Sequence, residues 1–168
     1  PETARVADAL IVESGALADA VHVATALGVD KAFQLTRYLG APVPAVSDTL
    51  ADAPSGARVL VVCGIARPSA FVAGVRAAGY DVAGSIELAD HHPFSARDVE
   101  RIAQRAAALG AVCVLTTEKD MVRLRPFAPF AFPLAWLPLR VSIDPAVRFG
   151  VWLTDQIDGA RRTRGRVT

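Results

Sequence analysis

The run Arg58-Val59-Leu60-Val61-Val62-Cys63, followed by the turn Gly64-Ile65-Ala66-Arg67 and then Pro68, constrains the fold more than any other feature of this chain. An unbroken apolar run of this length, without alternation, reads as a strand covered on both faces, which is the habit of parallel sheets. Proline lacks the N–H that the first turn of a helix leaves unsatisfied, so Pro68 suits the first helical position. The pattern therefore predicts a strand, a tight turn and a helix running to about Ala78, with Gly79 as its stop.

The same alternation recurs along the chain. Ala9 to Val12 reads as a buried strand, Ala16 to Leu27 as a helix ended by Gly28, and Phe33 to Leu39 as a second strand with partial alternation. Between Gly40 and Gly56 the prolines Pro42, Pro44 and Pro54 predict a loop or link. After the helix of Pro68, Asp81 to Leu88 is a further strand. Ser95 and Asp98 then form a capping-box pair at the head of a helix carrying Val99, Ile102, Ala106 and Leu109. Gly110 ends that helix, Ala111 to Leu115 is another buried strand, and Thr116-Thr117-Glu118-Lys119-Asp120 opens a short helix. Leu134 to Ile143 reads as one strand of mixed character, and Pro145 to Ala160 as a closing helix.

The fold class expected is α/β: a mostly parallel sheet with helices on both faces, a Rossmann-like α/β/α sandwich. The domain organisation expected is residues 1–57 as the end of one unit with its linker, 58–160 as an α/β domain, and 161–168 as a basic tail. With 168 residues, 52% of them hydrophobic and 21% charged, the chain can bury a substantial core. A net charge of +1 gives no field to attract nucleic acid, so Arg161, Arg162, Arg164 and Arg166 read as solvated. The apolar runs are too short for a membrane span of ~20 residues. The opening residues Pro1 to Arg5 carry no targeting pattern and read as the middle of a protein. Cys63 and Cys113 lie inside apolar runs without metal-ligand spacing, as buried thiols of a reducing cytoplasm do.

In parallel sheets the working residues gather at the carboxyl ends of strands. Three polar loops occupy that position here: 64–67, 89–94 and 116–120, so they are expected to converge on one edge. Asp90-His91-His92 sets two imidazoles and a carboxylate before a helix N-terminus. An imidazole there can act as a general base, orient a carboxylate or bind metal. Equally, one histidine can cap backbone groups while the other is solvated. Thr117 and Lys119 can hold a phosphate or sugar hydroxyl, or Thr116 or Thr117 can simply cap the helix. Arg67 is placed to meet an anionic substrate. No G-x-x-x-x-G-K-[ST] loop, no G-x-G-x-x-G and no G-x-S-x-G occurs in these residues.

Taken in order, Ala7-Asp8-Ala9-Leu10, Cys63-Gly64-Ile65-Ala66-Arg67-Pro68-Ser69-Ala70-Phe71, Asp90-His91-His92-Pro93-Phe94 and Val114-Leu115-Thr116-Thr117-Glu118-Lys119-Asp120 resemble the tetraacyldisaccharide 4'-kinase family. The resemblance covers nearly all of the chain. It implies a C-terminal portion of a two-unit kinase that phosphorylates the 4' hydroxyl of the tetraacyldisaccharide 1-phosphate precursor of lipid A. ATP and Mg would then be bound mainly by an N-terminal P-loop unit, and no cofactor is expected on the present residues alone.

The resemblance also implies that His91, with Asp90 beside it, matches the family histidine that pairs with a catalytic aspartate of the other unit. Arg67, Thr117, Lys119 and His92 become substrate-binding candidates, His92 the weaker of the two histidines. The partners implied are the lipid A disaccharide precursor and the P-loop unit, with no nucleic acid. The location implied is cytoplasmic, at the cytoplasmic face of the inner membrane with peripheral contact. Without a P-loop, the 168 residues alone are expected to be inactive. The apolar segment Phe127 to Trp136 reads as core rather than membrane anchor, because it lacks a helical period and flows into a strand.

Two other functions compete. A metal-dependent phosphohydrolase of Asp-His-His type would need further aspartates at separate strand ends, including an Asp-x-Asp pair, which the sequence lacks. A non-catalytic module binding an anionic sugar lipid would use the same loops.

Overall fold

A computed structural model describes residues 7–45 and 53–164. In chain order the elements are β1 (Leu10–Glu13), α1 (Leu17–Leu27), β2 (Ala32–Leu39), β3 (Val43–Pro44), β4 (Arg58–Cys63), α2 (Pro68–Ala77), β5 (Asp81–Glu87), α3 (Ala96–Leu109), β6 (Cys113–Thr117), α4 (Glu118–Leu124), β7 (Leu134–Leu137), β8 (Leu139–Asp144) and α5 (Ala146–Arg164). They divide between two compact units, residues 38–140 and residues 1–37 with 141–168. The closing helix therefore groups with the N-terminal strands, where the sequence had joined it to the 58–160 stretch.

The unit of residues 38–140 holds a five-stranded sheet in the order β3-β7-β6-β4-β5. β4 is central, parallel to β5 on one side and to β6 on the other, and β6 is parallel to β7. Because side chains alternate along a strand, its apolar run feeds two cores at once. Val59, Val61 and Cys63 pack with Phe71, Val72 and Val75 of α2. Leu60 and Val62 pack with Ile102 and Ala106 of α3 and with Met121 and Leu124 of α4. Helices thus cover both faces, as the unbroken run requires. Each fully buried Val or Leu contributes about 1.5–3 kcal/mol.

Helix boundaries follow local chemistry. Ser95 and Asp98 complete the capping box at the head of α3, and Gly110 closes it in the left-handed conformation at φ 61°. Pro68 begins α2 as expected. Phe127, Phe130, Phe132 and Trp136 pack against the α3/α4 core, so the aromatic segment is core.

Three differences from expectation have physical causes. The stretch 134–143 is two strands in two sheets, β7 and β8, separated at Pro138, whose missing N–H interrupts a ladder. The loop 40–56 contains β3, held antiparallel to β7 through Val43 opposite Trp136 and Pro44 opposite Ala135; its residues 46–52 lie outside those described. Helix α5 runs to Arg164, so Arg161, Arg162 and Arg164 are helical rather than tail, and Arg166 lies outside the described residues.

In the other unit β1 and β2 are parallel, with Leu10 opposite Ala32, and β8 joins them in the order β1-β2-β8. Helix α1 ends at Gly28, whose φ of 71° lets its N–H return to Ala24 and Thr25. Phe33 stacks edge-on to Phe149 of α5 at 5.1 Å. Among the described residues no helix is long and apolar enough to cross a membrane.

Candidate functional site

The three loops do converge, within the unit of residues 38–140. Gly64 follows β4, and its N–H donates to Oδ2 of Asp120 at 2.8 Å. Its carbonyl accepts from the N–H of His91 at 3.3 Å. Lys119 Nζ donates to Oδ1 of Asp90 at 2.7 Å. Each contact ties one strand-end loop to another, so the loop 89–94 is held from below by Gly64 and from the side by α4.

Gly64 marks a close approach of chain to chain. A Cβ there would lie 3.2 Å from the Ala89 carbonyl, 3.4 Å from Asp120 Oδ1 and 3.5 Å from the His92 Cβ. The first of these is tighter than ordinary contact, so a methyl there would press on the Ala89 carbonyl.

Asp120 is the hidden centre of the arrangement, fully buried at 0% exposure. Besides Gly64, its Oδ2 accepts from the Thr117 hydroxyl at 2.8 Å. The Thr117 oxygen accepts from the Asp120 N–H, capping α4. Oδ1 of Asp120 lies 3.5 Å from Nη1 of Arg123, an ion pair too long to count as a hydrogen bond, and both atoms lack other partners among the described residues. A buried carboxylate needs such donors, because an unpaired one costs several kcal/mol.

His91 stands at φ 62°, the left-handed region that costs a non-glycine residue about 1–2 kcal/mol. Strain of this kind persists where surrounding contacts over-determine a residue, and it clusters at working sites. Its ring is bracketed by cations: Arg123 Nη2 is 2.9 Å from Nδ1, and Lys119 Nζ is 3.3 Å from Nε2. Asp90 Oδ2 is 3.7 Å from Nε2. The His91 side chain nevertheless stays 70% exposed. Asp90 is held below the usual carboxylate range, chiefly by the hydrogen bond from Lys119 and further by the charges of His91 and Lys119.

His92 faces the other way. Its Nε2 is 3.1 Å from Asp98 Oδ2 in the cap of α3, its ring meets Phe94 edge-on at 5.5 Å, and its side chain is 27% exposed. Asp98 is lowered chiefly by the Ser95 hydroxyl and then by His92. Burial pushes the Cys63 thiol up to about 12, with the Asp120 and Glu87 charges adding to it. Cys113 is raised to about 11 by burial.

Of the residues singled out by sequence, Asp90, His91 and Lys119 form one cluster. Thr117 lies just beneath it as a helix cap. His92 turns into the α3 cap. Arg67 is exposed at the head of α2, and its side chain has no partner among the described residues. Sequence reasoning missed Arg123, and it missed Asp120 as the centre. The available signal was the i,i+3 spacing of Asp120 and Arg123 on the helix that the loop opens.

The arrangement does not suit a metal ion. Both ring nitrogens of His91 face cations and the Asp98 carboxylate occupies His92. Among the described residues no group of three His, Cys, Asp or Glu side chains gathers as a ligand set.

Fold and site together define an α/β protein whose polar groups meet at the carboxyl ends of parallel strands. Comparison with known proteins narrows that class. The model of the tetraacyldisaccharide-1-P 4'-kinase family, LpxK, matches residues 1–158, and the chain belongs to that family. The tetraacyldisaccharide 4'-kinase of Nitrobacter hamburgensis is 36% identical over 165 residues, 96% of this chain and 47% of that protein. That of Nitrobacter winogradskyi is 43% identical over 110 residues, 64% of this chain and 32% of that protein. The chain thus spans less than half the length of these curated relatives. The fold of Aquifex aeolicus LpxK, crystallised as an "apo" form in complex with ATP, is similar at a TM-score of 0.55 and 16% identity, covering 92% of this chain and 44% of that one.

Proposed function

We propose that this chain is the C-terminal part of an ATP-dependent kinase that phosphorylates the 4' hydroxyl of tetraacyldisaccharide 1-phosphate, the lipid A precursor. The observation that carries the reading is His91 itself: a strained, cation-bracketed and largely exposed imidazole, at a strand end in a chain of this kinase family. Phosphoryl transfer to a sugar hydroxyl needs positioning, charge neutralisation and an acceptor for the hydroxyl proton. An imidazole against a carboxylate base fixes that base's orientation, as in a catalytic triad. His91 supplies the imidazole, Asp90 and Lys119 hold its surroundings, and the base comes from a P-loop unit of the same kinase.

Arg67 and Lys119 are the cations available to anionic groups of the substrate, and Thr117 caps α4 and holds Asp120. In this reading His92 supports the loop from behind, in place of the substrate contact expected from sequence. ATP and Mg would be bound by the P-loop unit, since no G-x-x-x-x-G-K-[ST] loop occurs in these residues. The enzyme so assembled would work at the cytoplasmic face of the inner membrane.

The test is reconstitution. The 168-residue chain is assayed for ATP-dependent phosphorylation of the lipid precursor, alone and mixed with a separately produced P-loop half of a related kinase. The expected result is no turnover alone and restored turnover in the mixture. Turnover by the chain alone, or binding of the sugar lipid with no turnover in any mixture, contradicts the reading.

A further inference from the structure

We infer that Arg123 is a positioning residue that decides which ring nitrogen of His91 carries the proton, leaving Nε2–H on the edge that faces Asp90, where a carboxylate can accept from it. This rests on the reading of His91 above and adds to it a residue and a proton position.

A guanidinium offers donors only and stays charged at any pH a protein survives. Arg123 Nη2 lies 2.9 Å from Nδ1 of His91, so in the neutral ring Nδ1 must be the lone pair that accepts. The opposite tautomer would set Nδ1–H against a guanidinium N–H at that distance, donor facing donor. On the other edge Lys119 Nζ is 3.3 Å from Nε2 but only 2.7 Å from Asp90 Oδ1. With Nε2 protonated, the ammonium keeps its 2.7 Å bond to Asp90 and gives up only the 3.3 Å contact, whereas the opposite tautomer forfeits the 2.9 Å contact from the planar guanidinium. The shorter, rigid contact therefore sets the tautomer. Asp90 Oδ2, 3.7 Å from Nε2, lies on the side where a ring N–H is wanted.

Arg123 is itself held. Asp120 Oδ1 stands 3.5 Å from its Nη1, and Asp120 is fixed by the Gly64 N–H and the Thr117 hydroxyl, each at 2.8 Å. Arg123 follows Asp120 by one helical turn, so the line from buried carboxylate to guanidinium to imidazole is built on one short helix. With the His91 backbone locked at φ 62°, the ring is constrained at both ends. A carboxylate meeting Nε2–H accepts its hydrogen bond and keeps its other oxygen free for the sugar hydroxyl proton. In a catalytic triad the wrong histidine tautomer lowers kcat by about 10⁴-fold.

The test is long-range proton–nitrogen NMR of the 168-residue chain labelled with ¹⁵N-histidine, the His91 ring being assigned by its loss in His91→Ala. The expected spectrum shows His91 protonated on Nε2 with Nδ1 as acceptor. Arg123→Met should turn this into a mixture of tautomers, and the signals of His22 and His92 should not move. A wild-type ring protonated on Nδ1, or a pattern unchanged in Arg123→Met, overturns the inference. The wild-type spectrum decides by itself should Arg123→Met not fold. None of these readouts needs kinase activity, so failure of the kinase reading is told apart from failure of this one. In the reconstituted enzyme Arg123→Met should lower kcat by about 10²-fold while leaving KM for the lipid unchanged.

Discussion

His91 and His92 are neighbours in sequence and opposites in environment. His91 sits in the left-handed region, exposed, between Arg123 and Lys119; His92 is tucked against Phe94 and bound to the Asp98 cap. The front of the loop is strained and open, while the back is relaxed and packed. Strain and exposure are what a folded chain discards unless a ligand or partner uses them, and packing against a cap is what stability selects. The contrast supports the proposal that chemistry belongs to the front of the loop and support to the back.

The contrast can be strained from below by attacking the group that holds the front. Asp120→Ala removes the acceptor of the Gly64 N–H and the Thr117 hydroxyl and leaves Arg123 without its carboxylate, so it should destabilise the chain by about 3 kcal/mol. Urea unfolding measures this, and a loss under ~1 kcal/mol would show Asp120 to be incidental. Gly64→Ala presses on the Ala89 carbonyl beside the site, for an expected loss of about 1 kcal/mol. The same denaturation curves report it, with an unchanged midpoint as the contrary result.

A smaller effect sharpens the back of the loop. Asp98→Asn weakens the α3 cap and the His92 contact, at about 1 kcal/mol near neutral pH. The sign of its pH dependence follows from the direction of its shift. Asp98 is lowered in the folded chain, so its contribution is present above the unfolded value of about 3.9 and is lost as pH falls through the lower folded value. Wild type should therefore lose stability more steeply on acidification than Asp98→Asn. Parallel acid limbs would remove Asp98 from the account.

The smallest effect concerns the thiol beneath the site. Cys63, pushed up to about 12 by burial, should resist alkylation at pH 8 in the native chain and react on unfolding. Because the folded value is raised, the neutral thiol is the favoured form, and stability should fall slightly as pH rises beyond the unfolded thiol value of about 8.5. Rapid alkylation of native Cys63 would mean that the strand end beneath Gly64 is open.

The two halves of the loop were unequally legible in sequence. Ser95 and Asp98 announce the cap by spacing alone, because a capping box is local. The β4 run revealed itself by hydrophobicity, since burial on both faces leaves no polar position. Convergence of the three loops followed from strand-end logic. Arg123 and the buried Asp120 did not show, because their partners are Gly64, 56 residues from Asp120, and His91, 32 residues from Arg123. The short strand β3 was hidden for the same reason: Val43 and Pro44 have no periodicity of their own and become a strand only through pairing with β7. The positive φ of His91 is likewise imposed by the loop, and no residue pattern flags it.

The central claim is that His91, and not its neighbour, does the work. It is tested most directly by comparing His91→Ala and His92→Ala in the reconstituted kinase under identical conditions, with unfolding curves for both. The account predicts that His91→Ala loses at least ~10²-fold in kcat with stability unchanged or improved, the left-handed backbone being easier to leave without the bracketed ring. It predicts that His92→Ala loses less than about 10-fold in kcat while its unfolding midpoint drops by a few degrees, roughly 2–4 °C per kcal/mol in a chain of this size. Equal losses of kcat in the two variants, or a larger loss in His92→Ala, would contradict it.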